Sequence, residues 1–152
     1  MTKFLACALV LLAFTASAIA GGFKAYPGAK VDQKASEAAA AMLMAFGDDA
    51  ESLKATTYTT ADSYDKVVAF YKADGKELVI PSNPKRDQAM TLPSGEKIRE
   101  SVIIFDGAAD VVSSRNWVKI QRPFVAAYGF ANGKQIAEDV RNVTAITAVT
   151  PK

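Results

Sequence analysis

The feature that most constrains this chain is the way turn residues chop its later part into short β-branched and aromatic runs. Pro93-Ser94-Gly95-Glu96 separates a run at 90–92 from one at 97–105, and Asn132-Gly133 follows a run at 126–130. Asn-Gly favours a hairpin because both positions of its tight turn need positive φ. Turns this short join antiparallel neighbours; a parallel pair needs a crossover of a dozen residues or more. The pattern therefore predicts a mostly antiparallel twisted sheet of about five strands. Further strands are expected at 55–59, 77–80, 117–122 and 140–149, where Val, Ile, Thr and aromatic residues concentrate. Continuous apolarity at 102–105 predicts a central strand covered on both faces.

Helical spacing occurs twice before the sheet-forming part. Tyr64, Val67, Val68 and Tyr71 stand at i, i+3, i+4 and i+7, one face of a helix. Thr60 or Asp62 is expected to cap it, and Gly75 to end it at positive φ. Ala35, Ala38, Ala39, Met42 and Phe46 have the same periodicity, and Gly47 follows as a terminator. The expected role of the 35–46 helix is to pack Met42 and Phe46 onto the sheet. The alternative is a mobile piece whose Met surface docks into a partner. A short helix is also conceivable around 108–112. The fold class is α+β, with one or two helices packed on one face of the sheet.

Residues 1–20 read as a secretory signal peptide. Lys3 precedes an apolar run, and Ala18-Ile19-Ala20 supplies small residues for cleavage after Ala20, or after Ala18. Residues 21–34 read as a lead-in segment and 35–152 as a single domain. Cleavage would remove Cys7, the one cysteine, so packing without disulfides would hold the exported domain together. No later apolar run approaches the ~18 residues of a membrane span. The expected compartment is the periplasm or beyond.

The missing residue types narrow the chemistry. The chain has no histidine, which excludes Ser–His and Cys–His nucleophile systems. Without a mature cysteine, thiol catalysis and thiolate metal sites fall away. No glycine-rich phosphate loop occurs. Lys and Arg number 18 against 16 acidic residues, too even a balance for a nucleic-acid footprint. Ser-x-x-Lys appears at Ser63/Lys66, Ser82/Lys85 and Ser94/Lys97, without the partner motifs of Ser–Lys enzymes. Asp48, Asp49 and Glu51 lack the spacing of a calcium loop, and Asp106 and Asp110 suit turns. No cofactor or metal is expected.

The candidate binding surface lies at Arg115-Asn116-Trp117-Val118-Lys119-Ile120-Gln121-Arg122. If Val118 and Ile120 face the core, strand alternation turns Trp117, Lys119 and Gln121 to the other side. Trp, Lys and Gln can stack on and hydrogen-bond a ligand. Arg115 flanks the strand, and Arg99 on a neighbouring strand is expected to add a fork for a carboxylate. The competing reading buries Trp117 beneath a helix.

The stretches Tyr26-Pro27-Gly28-Ala29, Tyr58-Thr59-Thr60-Ala61-Asp62-Ser63, Val67-Val68-Ala69-Phe70-Tyr71-Lys72 and Trp117-Val118-Lys119-Ile120-Gln121-Arg122-Pro123 resemble small exported bacterial proteins. The resemblance covers most of the chain after residue 20. It implies export and no particular activity or functional residue. The expected function is non-enzymatic: binding of a small ligand or an envelope protein, as a monomer or weak oligomer. One alternative is a metal-independent hydrolase or lyase using carboxylate, Lys or Tyr on an envelope substrate, favoured by a pocket that converges two acidic groups. The other is a structural module of an envelope assembly.

Overall fold

The computed structural model describes residues 22–45, 48–81 and 83–152. The expected signal peptide, Phe46, Gly47 and Ser82 lie outside the described residues. In chain order the elements are β1 (Lys30–Val31), α1 (Gln33–Met44), a 3-10 turn (Asp48–Ser52), β2 (Leu53–Thr60), α2 (Tyr64–Lys72), β3 (Lys76–Glu77) and α3 (Pro84–Ala89). Then come β4 (Arg99–Ile104), β5 (Trp117–Arg122), β6 (Ala127–Ala131), β7 (Lys134–Glu138) and β8 (Thr144–Pro151). Six strands form one sheet in the order β1-β2-β8-β5-β4-β3, antiparallel at every step. β6 and β7 form a separate hairpin. The architecture is α+β, with six strands in the main sheet. The two longer helices cover opposite faces of it rather than sharing one.

Alternation decides which face each helix covers. Val118 and Ile120 of β5 point to the α2 side with Ile103, Ile146 and Ala148, all essentially inaccessible. Tyr64, Val67 and Tyr71 of α2 close over them. Phe23, Tyr26, Phe70 and Phe105 fill the remaining space with edge-to-face and stacked rings 4.9 to 6.1 Å apart. Such pairs add to the area they bury. Ser63, not Thr60 or Asp62, caps α2, accepting the Lys66 amide. Lys66 itself pairs with Asp62, so the first Ser-x-x-Lys match is a helix start.

Gly75 has a different reason from the one expected. Its φ is ordinary; a Cβ there would lie 2.5 Å from Ile103 Cγ2 and 2.7 Å from Phe105 Cδ1. Glycine is required because the chain passes against the core. At the β6–β7 turn the backbone reason does hold, with Asn132 and Gly133 both at positive φ.

Helix α1 starts earlier than expected. Asp32 caps it by accepting the Ala35 amide, and Ser36 Oγ accepts the Thr57 amide on β2. The inward face is Ala35, Ala39 and Leu43, while Met42 is 62% exposed and is not buried in the core as expected. An alanine-rich helix has little amphipathic contrast to fix its rotation in advance. Three further differences have local causes. Asn83 and Pro84 start α3 where a loop was expected, as a cap followed by proline at the first helical position. Residues 106–116 contain no helix. There Asp106 accepts the amides of Ala108, Arg115 and Asn116, which holds the connector as turns. The last strand begins at Thr144, because Arg141 instead pairs with Phe124 in an isolated bridge.

Candidate functional site

The α1 side of the sheet is a regular grid. Trp117 stands opposite Val149, which stands opposite Ala55. Lys119, Thr147 and Thr57 form the next row, and Gln121 and Ala145 the one after. Directly opposed residues of antiparallel strands project on the same side. Most of this floor is small, and the roof is Ala35, Ala38 and Ala39 of α1. Short side chains from both sides meet only in places, Ala35 with Ala145 and Phe124, and Ser36 with Thr57. They leave a cavity of about 260 Å³ between helix and sheet, mostly apolar, with Trp117, Phe124, Met42 and Leu43 as its large walls.

The cavity has two unlike ends. Near the C-terminal part of α1 it is closed by Leu43, Ala55, Trp117 and Val149, which pack as one apolar cluster. The Thr57 and Thr147 hydroxyls, 3.0 Å apart, mark the middle. Toward the start of α1 stand Lys34, Gln121 and Asp139, and Lys119 leans from the middle row toward Glu100 beside Gln121. Gln121 is buried and spent on structure: its amide nitrogen donates to Glu100 and its oxygen accepts the Val125 amide. Lys119 keeps its ammonium 3.6 Å from Glu100 and remains partly exposed. Arg141 lies 4.3 Å above the Phe124 ring and pairs with both Asp32 and Asp139. The Ala35 amide, together with Arg141, holds the Asp32 carboxyl below its ordinary value against the opposing effect of burial.

Glu100 is the hub beneath this polar end. It pairs with Arg86 and Lys119 and accepts hydrogen bonds from Gln121 and Tyr128. Burial, and then the Glu100 charge, push the Tyr128 phenol well above the usual tyrosine range. These contacts tie β4, β5, α3 and the β6–β7 hairpin together around one carboxylate. A buried carboxylate needs this many partners to offset its desolvation.

Of the five residues singled out from the sequence, Trp117, Lys119 and Gln121 share the cavity. Arg99 lies on the opposite, α2 face, where it pairs with Asp65 and stacks 4.1 Å over the Tyr64 ring. The expected fork beside Trp117 is therefore not formed, since Arg99 is one residue out of phase with Glu100. Arg115 precedes β5 and donates to Ser52, away from the cavity lining. Sequence reasoning missed Lys34, Thr57, Phe124, Asp139 and Thr147. Only the Thr144–Pro151 alternation carried a signal for one of them, Thr147.

A second hollow of about 270 Å³ lies at the β4 edge, lined by Glu77, Glu100, Arg86 and Ser101. It does not converge two free acids. Glu77 is on the α2 face, paired with Lys72 and hydrogen-bonded by Ser101, while Glu100 is on the other face with its own cations. The Lys72 pairing, followed by the Ser101 hydroxyl, keeps the Glu77 carboxyl below its ordinary value. Among the described residues no group of three or more Asp or Glu side chains is placed to hold a metal ion, and no helix is long and apolar enough to cross a membrane. Comparison with models of known families, curated proteins and solved structures finds no match to this chain.

Proposed function

We propose that this chain is an exported binding domain and that the cavity between α1 and the sheet is its ligand site. The observation that carries the reading is the mostly apolar space beside Trp117, left open by alanines where the opposite face is filled. Its volume, about 260 Å³, falls just under the ~300–1,000 Å³ of common small-molecule sites, so a compact ligand suits it. The absence of histidine, together with the ion pairs that engage Glu77, Glu100 and Asp139 at the two hollows, favours binding over turnover. Export is supported by the leader pattern of residues 1–20 and the lack of cysteine after it. The mass of the chain recovered from the cell envelope tests that part.

Trp117 is the sole tryptophan, so its emission reports on the cavity directly. Titration with uncharged 1-octanol is expected to give a saturable change in that emission and a higher melting temperature. Ala39→Leu should fill the space, keep the fold and remove the response. A response that never saturates, or one that Ala39→Leu leaves intact, would overturn the reading.

A further inference from the structure

We infer that the ligand is a monoanionic amphiphile, a short apolar tail bearing a carboxylate, bound with its head between Lys34 and Lys119. This rests on the cavity being a ligand site and adds its charge, length and orientation. Orientation comes from the unlike ends. A tail gains nothing beside Lys34 or Asp139 but buries its surface against Leu43, Ala55, Trp117 and Val149. Length is bounded by the volume: about 260 Å³, just under the ~300–1,000 Å³ of common small-molecule sites, suits a short chain.

Charge comes from the cations and carboxylates around the polar end. Lys34, Lys119 and Asp139 line it, and Asp139 is already engaged by Arg141. Behind the lining, Arg141 also holds Asp32, and Arg86 holds Glu100. Lys119 reaches Glu100 only at 3.6 Å, beyond hydrogen-bond range, and Lys34 makes no direct ion pair among the described residues, acting on Asp32 only from a distance. The cations around this end outnumber the carboxylates by one. One negative head balances that excess, and the two ammonium groups have donors left to give it. An ammonium head would be repelled there, and a neutral head would leave the excess uncompensated.

The test compares three probes of eight carbons each, octanoate, 1-octanol and octylamine, by Trp117 emission on the full exported chain. Octanoate is expected to bind about tenfold more tightly than 1-octanol, the worth of one charged hydrogen bond, and octylamine more weakly than both. Lys119→Gln should erase the octanoate advantage over 1-octanol measured on the same variant. Lys34→Gln, on the exposed surface, should do the same in part and guards against a folding defect in the Lys119 variant. Equal binding of octanoate and 1-octanol, or a preference for octylamine, would sink the charge assignment while the cavity remains a ligand site. Dodecanoate binding more tightly than octanoate would sink the length assignment. Failure of all three probes to perturb Trp117 would remove the ligand-site reading itself.

Discussion

The two faces of this sheet are built by different means, though one set of strands supplies both. On the α2 side, β5 and β8 present Val118, Ile120, Ile146 and Ala148, and the helix meets them with Tyr64, Val67 and Tyr71. On the α1 side the same strands present Lys119, Gln121, Ala145 and Thr147, and the helix brings alanines. The first face is filled throughout; the second is packed at its ends and open between them. Helix coverage by itself does not make a core. What matters is whether the side chains from both partners are long enough to touch, because an unfilled gap forfeits their contacts.

The sharpest way to break this contrast is to truncate the filled face. Ile120 is completely buried under α2. Ile120→Ala should cost about 2–5 kcal/mol, the lost transfer energy plus a cavity the aromatic cluster cannot collapse into. Chemical denaturation measures it. A loss below ~1 kcal/mol would mean that the α2 side is as loosely packed as the α1 side.

Adding atoms to the same face should also hurt. Gly75→Ala places a methyl against Ile103 and Phe105, at distances real Cβ atoms do not adopt. The expected cost is about 1–3 kcal/mol, seen as a lower denaturation midpoint. A neutral result would show that the chain beside Phe105 yields easily, and that the face is less rigid than its buried rings imply.

The α1 side depends instead on how the helix is anchored. Asp32 caps it and pairs with Arg141, so Asp32→Ala should cost about 1 kcal/mol. The carboxyl sits below its ordinary value of 3.8, chiefly through the Ala35 amide. Its stabilisation is therefore complete above that value and is lost as the pH falls through the lowered one. Melting curves of wild type and variant should differ between about pH 5 and pH 7 and converge in stronger acid. A gap that persists unchanged in acid would show that Asp32 acts only through shape.

How much of this was legible in the sequence follows from where periodicity is strong. Trp117–Arg122 alternates cleanly, so its span and the shared side of Trp117, Lys119 and Gln121 could be read directly. Tyr64, Val67 and Tyr71 fix the α2 rotation for the same reason. The run of alanines in α1 contains no such contrast, so periodicity points its inward face to Met42 where the structure turns Leu43 inward. The sequence puts Arg99 on a strand next to Trp117, but it shows adjacency of strands and not their register. A slip of one residue sends a side chain to the other face. Thr57, Asp139 and Lys34 come from three distant segments, and only the fold brings them to one cavity. Gly75 was readable as a special residue, but its reason was not, since the crowding atoms belong to β4 and the segment just after it.

The smallest effect is the most telling, because it compares one strand with itself. Ala145 and Ala148 are both buried on β8, three residues apart and on opposite faces. Ala148 belongs to the filled core, whereas Ala145 lines the cavity. Ala148→Val must force two extra methyls among Ile146, Val118 and Tyr71, at about 1–3 kcal/mol. Ala145→Val adds the same atoms at the cavity wall, extends the apolar contact Ala145 already makes with Phe124 and Ala35, and suits a strand. Its effect on the denaturation midpoint should stay within about 0.5 kcal/mol of zero, while 1-octanol binding weakens as the cavity shrinks. Equal costs at both positions would mean that the space beside Ala145 is already filled in solution by its own walls. The two faces would then differ in composition but not in packing.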